Sequence, residues 1–224
     1  TEWLPISSTG HLILVQELVM LDQPDSFWNV FKVVIQIGAI LAVVVLYWNK
    51  LWPFSPSNSR KESQKILSLW VKIIIACIPA AVIGLPLDDI LDEYLSTPTV
   101  IAAMLILYGI LFIVLEAHNK KKNFDITSTS RLDYKTAVLI GLFQCLSLIP
   151  GTSRSGATIL GAMILGCSRP VAAEFSFYLG IPVMFGAGFL KIVKHGLGFT
   201  GAQVFILLFA MLVAFLVAMY TIKF

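Results

Sequence analysis

The sequence predicts an all-α, polytopic membrane protein with about six spanning helices and two re-entrant half-helices related by an internal repeat. Three observations predict it. Of 224 residues, 58% are hydrophobic and only 13% charged, against about a quarter charged in soluble domains. The apolar residues gather into runs of the length that crosses a hydrocarbon layer of roughly 30 Å, about 20 helical residues each. Two further apolar runs are about half that long, and each comes after a cluster of Pro, Gly, Ser and Thr.

Taken in order, the expected spans are 27–48, 66–87, 99–117, a short one at 134–149 that ends at Pro150, a less uniformly apolar one at 172–191, and 201–222. Pro79 and Pro182 fall inside spans, where membrane helices accommodate a kink. The short runs are 12–21 and 157–167, roughly 15 Å of helix each. Such segments persist at membrane depth only where protein or a wet cavity covers them. One transmembrane domain over 1–224 is expected, with repeat halves at 1–100 and 101–224. Thr1 is no initiator Met and Phe224 closes an apolar run, so both ends are expected to continue.

Charge orients the chain. Lys50, Arg60, Lys61 and Lys65 occupy one connection, and Lys120, Lys121, Lys122, Arg131 and Lys135 another. The connection between them carries Asp88, Asp89, Asp92 and Glu93. The positive-inside rule places the basic face in the cytoplasm. Lys191 and Lys194 join that face if the short run at 157–167 dips in and returns to its own side, so that the spans after both half-helices run outside to inside. Trp3, Trp28, Trp48 and Trp52 suit an interfacial belt. A net charge of +3 without interleaved aromatic and basic residues excludes a nucleic-acid partner. Cys77, Cys145 and Cys167 lie far apart in apolar runs, which argues against a disulfide framework or a zinc site.

The chemistry concentrates in two turns. The first, residues 2–11, holds Glu2, Ser7, Ser8, Thr9 and His11 beside apolar helix; Ser7 or Ser8 suits the N-cap. The second, residues 150–158, crowds Arg154 among Gly151, Thr152, Ser153, Ser155, Gly156 and Thr158. An arginine at the bilayer centre costs about 2.5–3.5 kcal/mol on insertion scales, so it requires an anion, a carboxylate or water. Helix-start N–H groups favour phosphate, and guanidinium offers phosphate oxygens a bidentate fork. The bland alternatives are that Glu2 and His11 cap a headgroup-level loop, and that Arg154 pairs with Glu2 or snorkels. Together the clusters make a kit for gripping phosphate and moving a phosphoryl group, which needs positioning and charge neutralisation. Gln144, six positions before Pro150, is close enough in sequence to touch the site. Gln36 more simply bonds a neighbouring helix, and Glu174 is expected to pair with Arg169.

The turn at 4–11 preceded by Glu2, paired with the turn at 150–158, resembles the signature of undecaprenyl-diphosphate phosphatases, the bacitracin-resistance family. The runs at 31–38, 143–145 and 173–177 resemble that family too. The resemblance implies hydrolysis of a C55 polyprenyl diphosphate to the monophosphate, recycling the lipid carrier of cell-wall synthesis. In the bacterial inner membrane the diphosphate is then expected to enter from the outer face between the two half-helices. It implies that Glu2 is the second acid of an (E/Q)xxxE motif whose first acid falls ahead of Thr1. Ser8 and His11 become the nucleophile and base candidates: Ser8 attacks with Glu2 or His11 accepting its proton, or His11 is itself the nucleophile. Arg154 becomes the phosphate-binding arginine, and a divalent cation (Mg2+ or Ca2+) a companion of Glu2. A homodimer is compatible with it. The alternative class is a transporter or flippase of an anionic polyprenyl lipid, since broken helices and repeats are transporter features.

Overall fold

The computed structural model describes residues 2–18, 23–120, 123–195 and 198–223. Lys121 and Lys122 of the basic run, and the side chains of Thr9, Asp88, Asp89 and Asp92, lie outside the described part. Nine α-helices occur among the described residues: α1 (Ser8–Leu18), α2 (Asp25–Leu46), α3 (Trp48–Leu51), α4 (Arg60–Leu95), α5 (Pro98–Asn119), α6 (Tyr134–Cys145), α7 (Arg154–Ile164), α8 (Arg169–His195) and α9 (Gly201–Lys223). Five of them, α2, α4, α5, α8 and α9, are long and apolar enough to cross a membrane.

Close helix contact is made by small residues, as membrane packing favours. Gly38 of α2 lies so near α9 that a Cβ would sit 2.1 Å from the Met211 carbonyl oxygen. Gly141 of α6 is almost as close to α4, where a Cβ would sit 2.3 Å from the Ala76 carbonyl oxygen. The core gathers Ile40, Val43, Ile73, Ile140, Phe175 and Leu179, all fully buried. The outer faces of α5 and α9 expose Ile106, Ile113, Phe205 and Leu208, the pattern of a surface solvated by lipid.

Two bounds differ from expectation. α4 runs unbroken through Pro79 and Pro86 for 36 residues, about 54 Å, and takes in most of the expected acidic connection. A capping box starts it: the Ser59 N–H donates to Glu62 at 2.7 Å and the Glu62 N–H donates to the Ser59 hydroxyl at 3.3 Å. The expected span at 134–149 is α6 continued by a 3-10 turn to Leu148, 15 residues or roughly 22 Å. It stops short of crossing and turns back through Gly151 into α7. Ile126, ahead of α6, and Cys167, behind α7, form a backbone bridge, so both ends of this hairpin lie on one face.

That hairpin reverses the direction in which α8 runs. Lys50, just beyond α2, pairs at 3.0 Å with Glu174 near the start of α8. Deeper, Gly188 of α8 packs on Ile37 of α2. α2 and α8 are therefore antiparallel. α8 leaves from the face of the basic loops, and Lys191 and Lys194 are carried to the other face rather than joining it. The expectation failed because it counted residues 134–149 as a crossing. The half-helices α1 and α7 thus return to opposite faces, the arrangement of an inverted repeat.

Other pairings also depart from expectation. Glu174 bonds Lys50 and the Tyr178 hydroxyl, while Arg169 pairs with Glu116 at 3.1 Å. Trp48 and Trp52 are exposed and stacked, as an interfacial belt requires, but Trp3 and Trp28 are buried. Each buried indole found an aromatic partner, Phe177 for Trp3 and Phe31 for Trp28. The three cysteines are free thiols.

Candidate active site

The two polar turns are built alike. The Ser7 hydroxyl accepts from the Gly10 N–H at 3.2 Å, and the Ser153 hydroxyl accepts from the Gly156 N–H at 3.1 Å. Each serine caps its half-helix by satisfying a backbone donor at the first turn. Aligning the caps matches Ser7 with Ser153 and Ser8 with Arg154, one residue off the register that would align Pro5 with Pro150. Ser7 is the one non-glycine residue at positive φ (60°) among the described residues. Such a conformation costs on the order of 1–3 kcal/mol and gathers at functional sites. Gly151, at φ 90°, leaves no room for a Cβ against the Ile101 backbone of α5. This sets the hairpin tip near the start of α5, on the face away from the basic loops.

The turns meet. The Ser155 hydroxyl donates to the Leu4 carbonyl at 3.2 Å. Arg154 Nη2 lies 3.9 Å from Glu2 Oε1, and its guanidinium sits 6.0 Å from the Trp3 ring centroid. Arg154 is 9% exposed. Its Nη1 donates to the Ser176 carbonyl of α8 at 3.0 Å. Nε and Nη2 have no hydrogen-bond partner, nor has Glu2 Oε2. Buried charged groups left so are costly, and an incoming anion would satisfy the arginine's two donor nitrogens. Gly180 of α8 makes the space, because a Cβ there would fall 2.8 Å from Nη2.

Glu2 and Ser8 line a cleft of about 500 Å3 with Trp3, Leu12 and Gln36. Its far wall is α9, where Ala210, Ala214 and Ala218 stand at four-residue spacing. The same wall includes Phe209, Val213 and Val217, which are exposed on the outer face. The cleft therefore combines an ionic end with an apolar groove opening sideways.

The remaining candidates are placed differently. His11 is exposed and outside the cleft lining, its Nδ1–H donating to the Ser7 carbonyl at 2.8 Å. Thr158 is fully buried and bonds the Arg154 and Ser155 carbonyls and the Ser176 hydroxyl. The Ser153 and Ser155 hydroxyls lie 3.1 Å apart. Thr152 is buried beside Tyr108 of α5. Gln144 is 1% exposed on α6 with neither amide atom bonded. Sequence reasoning missed Ser176 and Gly180, the α8 positions that hold and admit the guanidinium, and the groove on α9. The alanine spacing was a readable signal for the groove. Ser176 contributes through its backbone carbonyl, which carries no signal in residue type.

The sequence profile of the family described as "Bacitracin resistance protein BacA" matches residues 1–224. The chain belongs to that family. BacA-family relatives include an undecaprenyl-diphosphatase of Acetivibrio thermocellus, 56% identical over 224 residues, which cover all of this chain and 82% of the relative. A second, from Lactobacillus delbrueckii subsp. bulgaricus, is 57% identical, and a third, from Enterococcus faecalis, 54%; each covers all of this chain and 82% of the relative. Membership and the five long apolar helices make the chain a multi-pass membrane protein of the BacA family. None of these names supports the transporter alternative.

Proposed function

We propose that this chain is an undecaprenyl-diphosphate phosphatase, which converts the C55 diphosphate to the monophosphate and inorganic phosphate. Family membership supports the activity. The observation that carries the site is Arg154 with two unbonded donor nitrogens, 3.9 Å behind Glu2, which itself lines the ionic end of an apolar groove. The diphosphate binds at Arg154 and its prenyl tail lies along α9. The hairpin tip packs near the start of α5, which supports a site open to the face opposite the basic loops, the periplasmic face by the positive-inside rule.

Ser8 Oγ attacks the terminal phosphorus while Glu2 accepts the hydroxyl proton. The new O–P bond forms as the bond to the bridging oxygen breaks, and the prenyl monophosphate leaves with that electron pair. Glu2 hands the Ser8 proton to the departing monophosphate. Water then attacks the phosphoserine phosphorus and gives a proton to Glu2. The bond from phosphorus to Ser8 Oγ breaks, and Glu2 returns the proton to Oγ as inorganic phosphate leaves. Arg154 neutralises the non-bridging oxygens throughout. Ser8 lies in the cleft lining and His11 outside it, which favours Ser8 as nucleophile. Glu2 Oε2, buried and unbonded, fits a divalent cation (Mg2+ or Ca2+), which would supply charge neutralisation. Among the described residues no three His, Cys, Asp or Glu side chains gather to hold one, so substrate oxygens would complete its shell.

The test is release of inorganic phosphate from undecaprenyl diphosphate by the detergent-purified chain, where no compartments exist. Binding without release, combined with flux in vesicles, would replace the enzyme with a carrier. A trapped phospho-adduct that survives acid assigns Ser8; an acid-labile one assigns His11.

A further inference from the structure

A second polar cavity lies on the face of the basic loops and shares no lining residue with the cleft. It measures about 750 Å3 and is walled by α4, the start of α8 and the turn at 127–130. Lys61, Lys65 and Lys72 all line it from α4. Their spacing of four and seven residues places them on one helical face. Lys61 and Lys65 are exposed near the mouth. Lys72 is buried, about 16 Å further along the helix than Lys61. Its ammonium lies 5.5 Å over the ring of Tyr134, so the floor of the cavity is level with the start of α6.

This positive stripe is only partly offset from within. Among the described residues none of Lys61, Lys65 and Lys72 belongs to an ion pair. The two carboxylates in the lining form no ion pair with the three lysines. Glu62 caps α4 through Ser59 and also acts electrostatically on Lys65, and Glu174 holds Lys50 and Tyr178. Asp133, the N-cap of α6, acts electrostatically on Lys72 while its carboxylate accepts from the Thr136 N–H at 2.7 Å, which leaves the three lysines with fewer acidic neighbours than their own number would need. Like charges at i, i+4 destabilise a helix, and burial of Lys72 adds to that cost. The turn contributes Thr127, Ser128, Thr129 and Ser130 to the lining, with the Ser128 and Ser130 hydroxyls 3.0 Å apart. Three lysines and four hydroxyl residues lining one cavity match a compact, multiply charged oxyanion.

We propose that this cavity is a second phosphate site, taking either free inorganic phosphate or the phosphomonoester headgroup of a lipid. A phosphate bridging Lys65 and Lys72 relieves the repulsion along α4 and satisfies donors on both walls. The inference does not depend on the hydrolytic reading of the cleft.

The test measures amine-labelling rates, lysine by lysine, on the intact chain in phosphatidylcholine nanodiscs. Saturable, joint protection of Lys61, Lys65 and Lys72 by inorganic phosphate identifies the free anion. The same protection by phosphatidic acid in the disc, without added phosphate, identifies the lipid headgroup. Lys65→Gln, an exposed change that leaves the fold alone, should weaken half-saturation at Lys61 and Lys72 about tenfold by removing one charge-assisted contact. Protection by neither source overturns the proposal, as does equal protection by chloride at matched ionic strength. Unchanged protection in Lys65→Gln also overturns it. Phosphate release from the prenyl diphosphate, measured in parallel, reports on the cleft alone.

Discussion

Arg154 owes its poise to what it lacks as much as to what it touches. One of its nitrogens is fixed on the Ser176 carbonyl, and two donor nitrogens remain unbonded. Arg154→Lys keeps the charge and loses the planar fork. It should lower kcat by about a hundredfold or more, as loss of a transition-state donor does elsewhere, and steady-state phosphate release checks this. Gly180→Ala acts on the same nitrogen from behind by pushing a methyl group onto Nη2. Its expected signature is a fall in kcat/KM with little change in thermal unfolding, since Gly180 lies against a side chain rather than a neighbouring backbone. Stripping divalent cations with a chelator should suppress turnover, and added Mg2+ or Ca2+ should restore it. Both turns were legible in the sequence because ionisable groups beside apolar helix are costly enough to stand out. Gly180 was not, because its contribution is an absent side chain.

Among the elements, the α6–α7 hairpin governs the architecture, and its entry is set by one carboxylate. Asp133 caps α6, accepting from the Thr136 N–H, and hydrogen bonding to Thr136 lowers its pKa from the ordinary value of 3.8. A depressed carboxylate stabilises the fold above its unfolded pKa, and that contribution fades as pH falls through the lower folded value. Asp133→Ala should therefore lose about 1 kcal/mol at neutral pH and have a flatter unfolding profile than the parent below pH about 4. Thermal melts across that range decide it. The long spans were legible because unbroken apolar runs leave no other reading. Their ends were less so: Pro86 does not stop α4, and the capping box at Ser59 and Glu62 starts it ahead of the apolar run. Residues 134–149 misled because a short crossing and one arm of a hairpin have the same composition. Only the contacts of Ile126 with Cys167, and of Lys50 with Glu174, separate them.

Across the whole molecule, the ionic end of the cleft and its alanine-lined groove form one slot, and the slot opens where Phe209 and Val217 are exposed. Ala214→Phe should fill the groove and raise KM for long prenyl diphosphates while leaving a short, water-soluble diphosphate nearly untouched. Equal effects on both would place the tail elsewhere. A sideways mouth has a kinetic corollary. Substrate arrives by diffusion in two dimensions, so the relevant concentration is its mole fraction in the surrounding amphiphile. Diluting micelles with buffer should leave the rate per enzyme constant, and diluting the substrate with more detergent should lower it.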